Sequence, residues 1–371
     1  MKLLIEKNIL LESLTNVMRA ISPKNIIPIL NGVMFDLREE GLYLTASDSD
    51  LTIRNFIPKE KIKNIAIPGK IVIQSKYLLE IIRKLPNGDI NIEVIDGLKI
   101  IISTDKTIYN LNCLDTADYP DINLEEVENP IVINSTTLKQ AINKTLFAVS
   151  TQESRPILTG INLKINGNVM ECVATDSYRL AKKTITLDNA YDSRDIVIPG
   201  KNINELDKLI TDESDVEIHV FNNKIVFKYM NYIFQSSLLS GSYPNTNNLI
   251  PTKFEFVITT SLNDYYNAID RAALLTQNKD KNIIKMETNN TELLISSYAS
   301  EIGKSEESIL INKSTEQDIS ISFSSKYMID ALKTFEDEEL IIFLNNDSSP
   351  IILKSAKDET LIQLILPIKT Y

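Results

Sequence analysis

Tryptophan is absent from the 371 residues, histidine occurs once and cysteine twice. The two cysteines, Cys113 and Cys172, lie 59 positions apart with no second Cys or His at metal-ligand spacing. They are expected as buried free thiols in a reducing cytoplasm rather than as a disulfide or a metal site. Only ten glycines are present, and none forms a Gly-rich phosphate loop. Gly-x-Ser-x-Gly elbows, His-Glu-x-x-His helices and Cys-x-x-Cys clusters are missing too. No uncharged apolar run approaches the roughly 18 residues that a membrane helix needs. The opening Met1-Lys2-Leu3-Leu4-Ile5-Glu6-Lys7 is broken by charge too early for a signal-peptide core. No cofactor or metal is therefore expected, and the expected location is cytoplasmic.

What is present is an ordinary globular composition, with 43% hydrophobic and 24% charged residues. The length suits two or three domains. The net charge of −11 argues, on average, against a nucleic-acid partner. The average does not decide the matter, because the placement of Lys and Arg does.

The chain repeats itself. Pro28-Ile29-Leu30-Asn31-Gly32-Val33 returns as Pro156-Ile157-Leu158-Thr159-Gly160-Ile161, 128 positions later. Ala46-Ser47-Asp48-Ser49-Asp50-Leu51 is matched by Ala174-Thr175-Asp176-Ser177-Tyr178-Arg179-Leu180. Ile67-Pro68-Gly69-Lys70 pairs with Ile198-Pro199-Gly200-Lys201, and Tyr119-Pro120 with Tyr243-Pro244. A fainter third copy keeps Ser296-Ser297-Tyr298, Ser325-Lys326-Tyr327-Met328 and Leu366-Pro367. Its Ser-Lys-Tyr echoes Ser75-Lys76-Tyr77-Leu78 of the first copy. Boundaries near residues 125 and 253 follow, giving units 1–125, 126–253 and 254–371.

Each unit reads as a helix followed by alternating strands, then a second helix followed by more strands. Helical spacing marks Leu10–Ile21, Ser75–Leu85, Leu138–Val149, Lys201–Ile210, Leu262–Leu275 and Ser325–Phe335. Period-two alternation marks Gly32–Leu37, Gly41–Ala46, Ile90–Ile95 and Lys99–Ser103, with hairpin signals at Asp96-Gly97 and Asn222-Asn223. The expected fold class is α+β: three tandem two-helix domains with mostly antiparallel sheets, the helices on one face.

The six helical segments together carry a formal +4, which leaves −15 for the rest of the chain. Solvation explains basic residues on any one helix. Collectively, diffuse positive charge without stacking aromatics suits loose contact with a phosphate backbone and no sequence preference.

A catalytic centre is hard to assemble. His219 sits in the alternating Val216–Phe221 stretch and reads as a surface or satisfied strand residue. The Asp48/Asp50 pair is the best acid–base or metal candidate, but the second copy retains only Asp176 and the third has Ser and Tyr. Turn capping by the shared Asp accounts for its repetition without catalysis.

Taken together, the three-unit pattern, Pro28-Ile29-Leu30, Ala174–Ala181, Ile198–Lys201, Tyr243-Pro244 and Leu366-Pro367-Ile368 resemble the bacterial sliding clamps, the beta-subunit family of DNA polymerase III. The resemblance covers the whole length. It implies a DNA clamp fold dimerising head-to-tail into a six-domain ring around duplex DNA. The helices would line the hole, and the ring would tether the replicative polymerase without chemistry of its own.

It further implies an apolar pocket between the second and third units for short peptides of polymerase, clamp loader and repair proteins. By motif its lining is Leu158, Thr175, Ser177, Tyr178, Arg179, Leu180, Pro244, Leu249, Tyr327, Leu364, Leu366, Pro367 and Ile368. Apolar walls, one basic group and a few hydroxyls are what a peptide groove requires. Some positions depart from the common family pattern. Ser177 and Tyr178 stand where many members have Gly then His or Tyr, Asn248 replaces a frequent Arg, and Ile368-Lys369 replaces Met-Arg. Thr370 and Tyr371 then extend the chain. The implied ring contact joins Tyr109 and Leu111 to Leu274 and Leu275 of a second copy, a heterologous contact that must close by symmetry. The implied DNA-facing set is Lys24, Arg83, Lys84, Lys139, Lys144, Gln152, Arg155 and Lys201.

Two other classes stand against this reading: a repeat-built enzyme with a carboxylate site between domains, and an adhesion scaffold unrelated to DNA. Size in solution, and the effect of linearising circular DNA on retention, discriminate among the three.

Overall fold

The computed structural model describes residues 1–25, 27–96, 98–276 and 282–369. Gly97 of the expected Asp96-Gly97 turn, and Thr370 and Tyr371, lie outside this set.

All six expected helices form: α1 Lys7–Val17, α2 Ser75–Lys84, α3 Ser135–Thr145, α4 Gly200–Leu209, α5 Leu262–Ala273 and α6 Ser325–Leu332. Their spacing explains them. In α1, Leu10, Leu14 and Val17 point into the core, and in α5 Tyr265, Ala268, Ile269 and Ala272 do so. The first and third helices each run on into a single 3-10 turn, Met18–Ala20 and Leu146–Ala148. Ser261 caps α5 by accepting the Asp264 N–H at 3.2 Å. The carbonyl of Leu85, just past α2, accepts from the buried Lys7 ammonium.

The chain packs into two compact units, the first made of Met1–Leu138 and Lys201–Leu238, the second of Lys139–Gly200 and everything from Leu239 onward. This division differs from the three sequence repeats for a physical reason. Strands of the central repeat hydrogen-bond into the sheets of both neighbours. Tyr232–Ser237 pairs with Leu51–Pro58 in the first unit, and Arg179–Pro199 pairs with Leu361–Ile365 in the second.

The first unit holds a thirteen-stranded antiparallel sheet, which begins at Ile131–Asn134 and ends at Ile62–Ile67. Its interior includes Val33, Phe35, Leu44, Ile53 and Phe234, and the last two face each other across the inter-repeat pairing. The second unit holds a seven-stranded and a four-stranded sheet. One core of this unit joins α5 and α6, through Tyr265, Ile269 and Met328, to Ile295, Phe323 and Ile342 on the strands.

The repeated Pro-Ile-Leu-x-Gly blocks are structurally equivalent. Each makes a 3-10 turn, Pro28–Asn31 or Pro156–Thr159, followed by a glycine that opens a strand. A Cβ at Gly32 would lie 2.5 Å from Val72 Cγ1, and one at Gly160 would lie 2.5 Å from the Ile198 carbonyl. Close strand approach therefore demands glycine at both places.

The Ile-Pro-Gly-Lys pair is a correction. Gly69 opens the strand Gly69–Gln74, whereas Gly200 opens helix α4. Gly32 pairs with Gln74 and Gly160 with Pro199, so the true counterpart of Gly200 is Ser75. The short motif matched in letters but not in position.

Candidate functional site

Each compact unit contains one of the two repeated Asp turns, and the second lies at the proposed groove. In the first, Asp48 Oδ1 accepts the N–H groups of Asp50 and Leu51 at 3.1 and 2.8 Å. In the second, Asp176 Oδ1 accepts those of Tyr178 and Arg179, both at 3.0 Å. Capping of the turn, not catalysis, is what the shared carboxylates do. Asp50 lies 3.1 Å from the Lys201 ammonium.

Around the second turn the groove residues converge within one compact unit. The backbone carbonyl of Tyr178 accepts the Leu366 N–H at 2.9 Å, and the Ser322 carbonyl accepts the Ile368 N–H at 2.7 Å. The C-terminal segment is thereby tied between the turn and the edge of the Ser320–Ser324 strand. Tyr178 stacks on Tyr327 at 6.3 Å between centroids. Thr175 donates its hydroxyl to the Arg179 carbonyl at 2.6 Å, and its N–H reaches the Tyr243 hydroxyl at 3.0 Å. Burial pushes the Tyr243 phenol far above the ordinary range, so it stays neutral.

Beneath this wall Leu180 and Leu364 pack with Val173 and Ile352, flanked by Tyr243, Ile250, Phe254 and Phe343. Leu158 is likewise buried. These three leucines are buried rather than offered as an exposed wall. Tyr178, Pro244, Leu249 and Leu366 are exposed, and Pro367 and Ile368 are half-buried. Ser177 touches the exposed Arg155 guanidinium at 3.4 Å. Asn248 and Lys369 are exposed.

Arg179 departs from the expected freely offered basic group. Only 8% of it is exposed. Its Nε donates to Asp176 Oδ2 at 3.0 Å and its Nη1 to Asp330 Oδ2 at 2.6 Å. The guanidinium also lies over the rings of Tyr327 and Phe147, at 4.6 and 5.2 Å. Sequence reasoning missed Asp330 and Phe147. The only available signal was the place of Asp330 one helical turn beyond Tyr327.

The proposed DNA-facing residues divide. Lys24, Arg83, Lys84, Gln152, Arg155 and Lys201 are exposed, Lys139 is half-buried, Arg83 pairs with Glu80, and Lys201 pairs with Asp50. Lys144 is a correction: it is buried, with its ammonium 3.3 Å from Asp358. Asp358 also accepts from Lys183 at 2.7 Å. Periodicity placed Lys144 on a helix, but the polar network turns its charge inward.

Among the described residues several strands expose an unpaired edge, and two of these edges carry highly exposed apolar side chains. Residues 108–112 of the Ile108–Leu114 strand pair with Lys99–Ser103 on one side only, and Gly303–Leu310 pairs only with Glu292–Ala299. Exposed apolar side chains mark both, Ile108 at 67% and Leu310 at 77%. Leu274 is 64% exposed, while Tyr109, Leu111 and Leu275 are half-buried.

Other polar candidates are structural. His219 is buried, its Nδ1 accepting the Val127 N–H at 3.0 Å. Cys113 and Cys172 are buried free thiols that burial pushes up to about 11 and about 12. Among the described residues no group of three or more His, Cys, Asp or Glu could hold a metal ion. No helix among them is long and apolar enough to cross a membrane.

Known proteins match the entire chain. Residues 1–124, 132–245 and 247–369 match the N-terminal, central and C-terminal domains of the DNA polymerase III beta subunit. The sequence is 41% identical over 378 residues to the beta sliding clamp of Bacillus subtilis, covering 100% of both chains. It is 37% identical over 376 residues to that of Staphylococcus aureus, again covering 100% of both. The crystal structure of the Bacillus subtilis DNA polymerase sliding clamp superposes with a TM-score of 0.97 at 40% identity, and the Streptococcus pneumoniae DNA polymerase III beta chain with 0.96 at 35%. Each of the two structures is covered completely, as is this chain. With strand pairing between repeats, carboxylates committed to turns, and full-length similarity at this level, the chain belongs to the beta sliding clamp family, the non-catalytic processivity subunits of DNA polymerase III.

Proposed function

We propose that two copies of this chain close head-to-tail into a ring around duplex DNA in the cytoplasm and tether the replicative polymerase to it. The observation that carries this reading is the pair of open apolar strand edges, one bearing Ile108 and the other Leu310, in a family member matched over its whole length. Exposed edges invite pairing with another chain. Edges that differ from each other give a heterologous contact, which two copies can satisfy only by closing. Tyr109 and Leu111 then meet Leu274 and Leu275 of the second copy. The three sequence units, bounded near 125 and 253, supply three of the six domains.

Closure makes tight DNA binding unnecessary. Lys24, Arg83, Lys84, Lys139, Gln152, Arg155 and Lys201 provide sparse, sequence-independent contact to phosphate. The groove around Tyr178, Tyr327 and Leu366 takes extended peptides from polymerase, clamp loader and repair proteins through its apolar walls and exposed rim. Half-buried Pro367 and Ile368 continue that wall.

Topology provides the test. The protein should run as a particle of twice its 41.9 kDa chain mass. When loaded on circular DNA it should stay bound through high salt and be released once that DNA is linearised. Retention unchanged by linearisation would defeat the ring.

A further inference from the structure

We infer that Asp330 is a positioning residue for the peptide groove: with Asp176 it locks Arg179 as an internal post, on which the groove's aromatic wall is built. The inference rests on the groove reading above and deepens it.

Arg179 meets two carboxylates, Asp176 at 3.0 Å from within its own turn and Asp330 at 2.6 Å from 151 positions further along the chain. Two charge-assisted bonds hold the planar guanidinium in a fixed orientation. Its face then lies 4.6 Å from the centre of the Tyr327 ring, with Phe147 nearby at 5.2 Å. Tyr327 in turn stacks on Tyr178, and the Tyr178 carbonyl holds the N–H of Leu366. These steps link α6 to the turn and the C-terminal segment, which the pairing of Arg179–Lys183 with Leu361–Ile365 already holds together. Tyr178 and Leu366, joined by that backbone hydrogen bond, are exposed at the end of this series of contacts.

Charge leads to the same conclusion. A guanidinium that already holds two carboxylates has no unpaired charge to offer a third. Arg179 therefore shapes the groove rather than binding an acidic group of the peptide. Without Asp330, Nη1 would have no carboxylate to hold it, and the ring over which it sits would be less constrained. A prealigned wall reduces the ordering cost of peptide binding.

The test uses full-length dimeric protein and a fluorescently labelled peptide taken from the clamp-binding segment of the replicative polymerase. Asp330→Asn should weaken peptide binding about tenfold, and Asp330→Glu should recover to within about threefold of wild type. Combined with Arg179→Gln, Asp330→Asn should add little, because both act through one post. Retention on circular DNA, which does not depend on the groove, should stay at the wild-type value. Asp330→Asn binding within about twofold of wild type would overturn the inference. So would an effect of Asp330→Asn that adds fully to that of Arg179→Gln. If the wild type does not bind the peptide, or Leu366→Ala leaves its binding intact, the groove reading itself fails instead.

Discussion

Ser49 and Ser177, 128 positions apart, share a left-handed φ of 78° at the same point of the same turn. In both, the serine N–H reaches back 3.2 Å to the hydroxyl two residues earlier, Ser47 or Thr175. The turn has kept its geometry while its third and fourth side chains changed. Asp50-Leu51 in the first became Tyr178-Arg179 in the second. One backbone device thus supports an exposed inter-repeat ion pair between Asp50 and Lys201, and an exposed Tyr178 at the proposed groove.

The φ at Ser177 makes a sign-definite prediction. Ser177→Gly is expected to fold with an unchanged or higher thermal midpoint, since glycine adopts this region freely. Ser177→Val should destabilise by about 1–2 kcal/mol, because a β-branched side chain is strained there. Denaturant melts of the two variants decide it, and a valine variant as stable as the serine parent would refute the strain argument.

Asp358 should give the second unit an acid-sensitive component. Burial alone would raise its pKa, but hydrogen bonds from Lys183, Thr360 and Lys144 outweigh that and hold it down to about 2. An unfolded Asp titrates near about 3.9. The stabilisation is therefore complete above that value and lost as pH falls through about 2. Asp358→Asn should lower the thermal midpoint at neutral pH, and its gap to wild type should close between about pH 4 and pH 2. A gap that stays constant across that range would assign the effect to packing alone.

The ring interface predicts that Leu274→Ala with Leu275→Ala yields folded monomers. Leu274 is largely exposed in the single chain, so its truncation removes association without opening a core. Sedimentation should show the mass halved, with the far-UV circular dichroism unchanged. A full dimer in this variant would place the interface elsewhere.

Lys24 and Lys144 should behave oppositely although both are basic. Lys24 is exposed, whereas Lys144 is buried against Asp358. Lys24→Ala should reduce the salt slope of DNA binding by up to about 0.9 for each phosphate that the lysine neutralises. Lys144→Ala should leave that slope alone and lower stability, because Asp358 keeps fewer partners. The opposite pattern would return Lys144 to the DNA-facing set.

These contrasts show where sequence reading succeeds. The helices were legible because apolar spacing is local, as in Leu10, Leu14 and Val17. The Asp48 and Asp176 turns were legible because capping acts within three residues. The Asn222-Asn223 hairpin was legible for the same reason, with the Phe221 N–H closing on the Lys224 carbonyl at 2.9 Å. What escaped was long-range. The carboxylate of Asp330 reaches Arg179 from 151 positions away, and Gln363 reaches the Lys144 carbonyl from 219 positions away. The Ile-Pro-Gly-Lys coincidence shows the converse hazard, since four matching letters occupy a strand in one copy and a helix start in the other. The groove residues were named through the family resemblance, but nothing local showed that Arg179 faces inward.

The pairing of Leu51–Pro58 with Tyr232–Ser237 also sets an order of events during synthesis. The earlier strand leaves the ribosome well before its partner has been made. At about 5–20 residues per second it waits roughly 10–40 s with one edge open. Arg54, Asn55 and Pro58 lie along that strand and are poor templates for wrong pairing. A fragment ending near residue 125 would keep this edge permanently unsatisfied, so it should self-associate through a strand that the intact chain keeps paired. Translation thus depends on a nascent chain that stays soluble until its central repeat arrives.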